Sequence, residues 1–336
     1  MDSATGKTRR FTQPPSSRIP ATVRLHRRIR LAADADEHAQ NLSEWDQTYD
    51  QLSRGPFRGS ITELWTGKAQ VFLESTNRRL RQSCAAWEHS IWFGIPDPAG
   101  PTAAIDCHGV PANGIAVRQG GTGFELRTPD DFDIYGIVVD REEFVRYAEE
   151  VEQISPDLLL GNSDVLLVDL SAKKRLCQRI DVLLNEANSF ENDAQAVQDR
   201  ILGTLVSSLV TQSSDGIIER HARTRKQRWQ TVCQIREYLL KEASFDVSVP
   251  ELCRRFHMSR RTLQYCFEEV TGLSPTAFLR DIRLNGARRD LRRQQRSERT
   301  VAQVAMDWGF SHFGEFSRDY RLLFDELPSK VLKAAV

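Results

Sequence analysis

The chain has 336 residues, 40% of them hydrophobic and 27% charged, with a formal net charge of zero. That composition suits two globular domains with cores of their own and excludes a collagen-like or disulfide-dense chain. No apolar run approaches the ~20 residues that a membrane-spanning helix needs, so no membrane partner is expected.

The zero average hides an asymmetry. Residues 1–30 hold eight Lys and Arg against one acid, residues 31–222 hold 16 against 31, and residues 223–336 hold 22 against 14. A polyanion feels the local field, so the basic ends matter more than the total. Six cysteines form no CxxC pair. Cys253 and Cys266 lie on apolar faces of expected helices and read as small buried hydrophobes in a reducing, cytoplasmic compartment.

Residues 1–30 are basic and broken by Pro14, Pro15 and Pro20, which predicts a disordered tail. Its arginines from Arg24 to Arg30 either touch DNA or are solvated. From about 57 to 140 short apolar runs recur between Gly and Pro: Ser60–Trp65, Gln70–Glu74, Ser90–Gly94, Gly114–Arg118, Phe124–Arg127 and Asp133–Val139. Many short strands at this spacing predict a small barrel or sandwich. The aromatics Trp65, Phe72, Trp87, Trp92, Phe93 and Tyr135 either line an apolar pocket or fill the core.

Helical periodicity begins at Arg141, with helices expected over Arg141–Ile154, Ser171–Asn188 and Asp193–Gln212. The last two carry apolar stripes that must be covered, either by the strands or by the same helices of a second subunit. Ser213–Arg225 is polar and reads as a linker.

The C-terminal signals are denser. An amphipathic helix, Arg228–Ala243, precedes Ser248-Val-Pro-Glu251, which has the form of a capping box. A short helix then reaches Phe256, His257-Met258 turns the chain, and Ser259 caps a helix that Gly272 stops. Two short helices joined by a tight turn form a helix-turn-helix. Leu252, Leu263 and Phe267 face inward. Arg260, Arg261, Gln264 and Tyr265 face outward, and Arg and Gln are side chains able to bond guanine and adenine edges bidentately.

The arrangement recurs about 53 residues later. Thr300 caps Val301–Trp308 with Val304 and Ala305 inward, Gly309-Phe310-Ser311 turns, and a second helix runs from His312 to Phe324 with Phe316 and Tyr320 inward. Between the units a helix from Pro275 to Arg293 separates them. Its Arg283, Arg288, Arg289, Arg292 and Arg293 are expected to follow the DNA backbone.

These stretches resemble the AraC/XylS family of bacterial regulators: Val249-Pro-Glu-Leu252, Met258-Ser-Arg-Arg-Thr-Leu263, Phe267-Glu-Glu-Val-Thr-Gly272, Ser274-Pro275, Arg283-Leu284 with Ala287-Arg288, Val304-Ala305, Trp308-Gly309-Phe310 and Phe316-Ser317-Arg318. The resemblance covers Trp229 to Leu332. It implies base contact by Arg261, Gln264 and Tyr265 in the first unit, and by His312, Gly314, Glu315, Ser317 and Arg318 in the second. Glu315 would accept from cytosine or face outward, repelled. The sequence departs from the family at Tyr320, where Phe is usual, and at Glu326, where Gly is usual.

The resemblance also implies a cupin-like N-terminal domain, activation of transcription and RNA polymerase as a partner. Arg54-Gly-Pro-Phe-Arg-Gly-Ser60 and the strand Phe132–Asp140 are similar to a branch that includes regulators of ethanolamine use, a likeness that transfers no ligand. No enzyme is expected: nucleophile-elbow, P-loop and dinucleotide fingerprints are missing, and His89 and His108 make no HxH metal pair. No cofactor or metal is therefore expected, and Cys107-His108 on one strand would point to opposite faces.

The expected fold class is α+β: an N-terminal cupin-like β-barrel plus helices, then an all-α domain with two helix-turn-helix units. Residues 1–30 would be the tail, 31–170 the sensor or regulatory domain, 171–222 a helical dimerisation or linker segment, and 223–336 the DNA-binding domain. The expected function is a sequence-specific, homodimeric regulator acting on double-stranded promoter or operator DNA in response to a small-molecule effector. The alternatives are a regulator without such input and, further off, a DNA-tethered barrel enzyme.

Overall fold

Successive side chains of a strand point to opposite faces, and that alternation sets the layering of the N-terminal part. The computed structural model describes residues 25–334, apart from 162, 187–193, 213–218, 242–246, 248 and 294–298. Strands β1 (His26–Ala32), β3 (Gly59–Trp65), β4 (Ala69–Thr76), β6 (Ser90–Pro96), β9 (Gly114–Gln119), β11 (Phe132–Asp140) and β12 (Val165–Leu167) form one antiparallel sheet. Its order is β1-β3-β4-β11-β6-β9-β12. Strands β2 (Asp46–Gln51), β5 (Leu80–Ala85), β7 (Ala103–Ile105), β8 (His108–Val110) and β10 (Phe124–Thr128) form a second, in the order β2-β5-β10-β7-β8.

The expected barrel is thus a pair of facing sheets, and no pairing closes them into a ring among the described residues. Strand β1 begins at His26, inside the span expected as a disordered tail. Residues 1–24 of that tail lie outside the described residues.

Phe72, Trp92 and Ile134 of the larger sheet meet Tyr49, Leu80, Phe124 and Leu126 of the smaller in one core. Trp92 stacks on Phe124 with centroids 4.6 Å apart. The space left among these rings is about 10 Å³, room for about one water. Phe93 and Tyr135 belong instead to the opposite face of the larger sheet. The six aromatics therefore line no common pocket; Phe72 and Trp92 fill the core between the sheets. Cys107 lies in the turn before β8, not on a strand, so its Sγ reaches His108 Nδ1 at 3.4 Å.

The opposite face of the larger sheet is covered by α4 (Leu170–Glu186) and α5 (Ala194–Leu209). Leu176, Ile180, Leu183, Val197, Ile201 and Leu205 are buried there beside Ile91, Phe93, Ile137 and Phe144. Each such side chain contributes about 1.5–3 kcal/mol on leaving water. Of the two expected covers, the chain uses its own sheet. Helix α2 (Arg141–Arg146) runs into a π-helical turn, Tyr147–Val151, which interrupts the single helix expected to Ile154, and α3 (Pro156–Leu160) follows.

The C-terminal part consists of α6 (Glu219–Lys241), α7 (Val249–Arg255), α8 (Arg260–Thr271), α9 (Pro275–Arg293), α10 (Val301–Asp307), α11 (Phe313–Phe324) and α12 (Pro328–Ala334). Helix α6 starts within the stretch read as a linker. Two separate cores form. Ile235, Leu252, Leu263, Phe267 and Phe278 make the first; Leu284, Leu291, Val304, Phe316 and Tyr320 make the second. Helix α9 contributes to both.

The two parts meet through charge. Asp34, which caps the short helix α1 (Ala35–Ala39), is 1% exposed. Its carboxylate accepts from Arg288 Nε at 2.5 Å. Arg292 lies 3.5 Å from Asp34 and from Glu37. On the outer face of the smaller sheet Asp50 pairs with Arg81, and with Arg289 at 2.6 Å. Arg81 also lies over the Phe278 ring, 5.1 Å away. Asn285 exchanges two hydrogen bonds with the Gln51 backbone, at 2.9 and 3.0 Å.

Burial raises the Asp34 carboxyl, but Arg288 and Arg292 overcome that and hold it below its ordinary value. A depressed carboxyl stabilises the fold above its unfolded value, and that contribution disappears as pH falls through the folded value. Replacing Arg288 with Met should strand the buried Asp34 and cost about 3–5 kcal/mol in urea unfolding at pH 7. The gap between variant and wild type should narrow as the pH drops below 3.8, the ordinary Asp value. An undiminished gap would show that Asp34 is not its source.

Candidate nucleic-acid interface

In the first unit, α7 and α8 are joined by a turn in which His257 takes φ of 51°. Ser259 Oγ accepts from the Thr262 N–H at 3.1 Å, and Gly272 closes α8 in the left-handed region at φ of 69°. The expected Ser248 cap lies outside the described residues. The side chains of Leu252, Leu263 and Phe267 are fully buried, so the opposite face of α8 must point outward. Arg260 is exposed there. Gln264 donates to Glu268 Oε1 at 2.5 Å, and Tyr265, 54% exposed, lies beneath the Arg228 guanidinium at 4.5 Å. The backbone of Arg261 is in the first turn of α8; its side chain lies outside the described residues.

In the second unit Thr300 and Gln303 form a reciprocal capping box at the start of α10. Val304, Ala305, Phe316 and Tyr320 are buried, and Phe310 packs partly buried against them. Trp308 donates to Asp290 Oδ2 at 2.8 Å and lies flat against α9 at Gly286, where a Cβ would sit 2.1 Å from the ring. His312 occupies the N-cap position of α11 without a capping side-chain bond. Along α11, Gly314, Glu315 and Arg318 are exposed and Ser317 is half-buried. Phe313, 42% exposed in the first turn, was not singled out from sequence, because an aromatic beside a core position reads as core. Its apolar ring suits a thymine methyl group.

Of the five arginines of α9 expected along a DNA backbone, Arg293 is exposed and the other four are engaged within the protein. Arg288, Arg289 and Arg292 are paired with Asp34, Asp50 and Glu37 of the N-terminal part. Arg283 donates to the Val247 carbonyl at 3.0 Å. They are not available to follow a DNA backbone.

The two departures from the family pattern share one partner. Tyr320 Oη accepts from Arg288 Nη1 at 3.2 Å, and Glu326 lies 2.5 Å from the same nitrogen. The left-handed residue ending α11 is Asp325, at φ of 59°.

Because Gly286 admits the Trp308 ring by close approach, Gly286→Ala should overpack the second unit. The expected loss is about 1–3 kcal/mol in denaturant unfolding, with a shift in tryptophan emission as the indole moves. An unchanged midpoint would mean that Trp308 is not held against α9.

A family profile described as "Helix-turn-helix domain" matches residues 252–334. The chain is 31% identical over 142 residues to "XylDLEGF operon transcriptional activator 2" of Pseudomonas putida, covering 42% of this chain and 83% of that protein. It is 29% identical over 137 residues to the "XylDLEGF operon transcriptional activator" of the same organism, covering 41% of this chain. The match takes in only 42% of that activator's own length. Among solved structures, a probable AraC family transcriptional regulator from Rhodopseudomonas palustris CGA009 is 34% identical over 32% of this chain and 97% of its own, with a TM-score of 0.29.

Proposed function

The chain belongs to the AraC/XylS family of transcription regulators, and on that premise we propose that it binds promoter or operator DNA sequence-specifically through α8 and α11. The observation that carries this reading is the pairing of two helix-turn-helix cores on one helix, each with the outer face of its second helix open. Helix α9 has 19 residues and so spans about 28 Å, close to the ~34 Å turn of B-DNA that separates successive major-groove faces. Arg260, Arg261, Gln264 and Tyr265 would read one groove, and His312, Gly314, Glu315, Ser317 and Arg318 the next. The division into residues 31–170, 171–222 and 223–336, the activator role, RNA polymerase as a partner and a cytoplasmic location are parts of the same proposal. A homodimer, if it uses residues 171–222, would pair the polar outer faces of α4 and α5, since their apolar stripes already cover the sheet.

The N-terminal part would act by holding α9 through its ion pairs. In the first reading a small-molecule effector changes that hold. The filled space between the sheets favours a second reading, in which this part takes no small-molecule input and serves contact between proteins. Reporter expression across a metabolite panel separates them: response to one compound class supports the first, and a flat profile the second.

A genome-wide binding map tests the whole proposal. Discrete sites sharing a two-part motif about one helical turn apart are expected; diffuse binding alone would refute it. On a cognate duplex Arg318→Ala should lose about 1–3 kcal/mol and relax preference at one base pair. An equal loss on every sequence would make Arg318 a phosphate contact instead.

A further inference from the structure

Beside the second unit lies an open groove of about 720 Å³ that belongs to neither part alone. Arg54 of the β2–β3 loop forms one wall; Ser317, Arg318, Arg321, Leu322 and Asp325 of α11 form the other. Positions 314, 318, 321 and 325 recur at helical spacing, so this wall continues the exposed stripe that begins at Gly314. Three guanidinium groups, of Arg54, Arg318 and Arg321, and one carboxylate, of Asp325, thus line the groove. Among the described residues Arg318 has one ion-pair partner, Asp319, at 3.5 Å. Arg54 and Arg321 are exposed and have no ion-pair partner among the described residues.

The loop is pinned. The Gly55 N–H donates to the Leu323 carbonyl at 3.1 Å, and Gln51 Nε2 donates to the same carbonyl at 2.9 Å. With the Asn285 bonds to the Gln51 backbone, these hold Arg54 beside α11 before any ligand arrives. A cation fixed in place loses less freedom on binding than one on a mobile loop.

We propose that this groove receives the phosphodiester backbone of bound duplex DNA, with Arg54 and Arg321 as phosphate contacts flanking the second recognition helix. The proposal rests on the reading of α11 as a DNA-reading helix. The N-terminal residues of such a helix meet base edges, so its C-terminal half rises toward the strand that borders the groove. Arg321 lies on that half, and Arg54 faces it. An occluding loop would instead cover Gly314 and Glu315, which are exposed. The N-terminal part then adds sequence-independent grip as well as holding α9.

The test uses the full chain and two duplexes of equal length, one carrying the motif from the binding map and one with that motif scrambled. Affinity is read by fluorescence anisotropy over a series of NaCl concentrations. Arg54→Ala should weaken both duplexes by the same factor, about eightfold at 0.1 M salt, and reduce the slope of log K against log salt by about 0.9. Arg54→Lys should keep most of the slope. Wild-type slope and affinity in Arg54→Ala, or tighter binding, would overturn the proposal; tighter binding would make the loop a block. Arg318→Ala separates the two levels. If it loses discrimination between the duplexes while Arg54→Ala matches wild type, only the groove proposal falls. If wild type itself does not discriminate, the reading of α11 falls and takes the proposal with it.

Discussion

Arg288 is the charge around which the two parts of the molecule are assembled. It is 8% exposed and lies against Asp34, Glu326, Tyr320 and the face of Phe324. Burial works against its positive charge, yet these neighbours hold its pKa above the ordinary arginine value. A guanidinium can satisfy several acceptors in one plane, which a lysine ammonium cannot do. Buried pairs of this kind add little net stability, because desolvation offsets much of the attraction. Their effect here is geometric: one arrangement pairs every charge, and displaced arrangements leave a carboxylate stranded.

The same constraint explains the composition. The acidic excess of residues 31–222 is met in part by the connecting helix, where Asp34, Asp50 and Glu37 neutralise Arg288, Arg289 and Arg292. The outer face of the smaller sheet is accordingly charged yet buried. Asp50 is held far below the usual carboxylate range: burial would raise it, but Arg81 and Arg289 outweigh burial. Asp281, on the same helix and with Arg280 at 3.6 Å, is instead pushed up to about 6 by burial. Arg260 on α8, Arg318 on α11 and Arg54 stay exposed and take no part in these pairs between the two parts.

Local chemistry was readable wherever it decided the structure. Pro275 and Arg293 bound α9 as expected, and the Ser259 cap, the Gly272 stop and the Thr300 cap follow from which side chains can satisfy a helix end. The six expected strands are all present. Six strands escaped notice: β7, β8 and β12 have three residues each, too few for a period to show, while β1, β2 and β5 carry charged residues, and a charged position reads as solvent-facing when its partner is more than 200 residues away. Asp50 and Arg289 are that case. Tyr320 and Glu326 look like weak points in a pattern until Arg288, on another helix, supplies the reason for both. The outward direction of the side chains proposed to read bases follows from helix spacing, since burial of Leu263, Phe267, Phe316 and Tyr320 forces the opposite faces outward, while their assignment to bases comes from the family resemblance. Arg54 could not be found this way, because nothing in the spacing of β2 and β3 places their loop beside α11.

A rigid, charge-matched contact also limits how the N-terminal part can control the rest. Moving it away from α9 would expose Asp34, Asp50 and three arginines at once. Shifting such an equilibrium from 1:99 to 99:1 needs a ligand that favours the open state by about 5.5 kcal/mol. A core with space for one water offers no such differential without opening itself. Under the proposed control by the N-terminal part, small changes that leave the pairs intact and alter the tilt of α9, and with it the spacing of α8 and α11, need less free energy. Salt discriminates between the two kinds of change: buried pairs are screened far less than exposed charges. The salt dependence of DNA binding should then report phosphate contacts on the open faces, and not release of the ion pairs between the two parts.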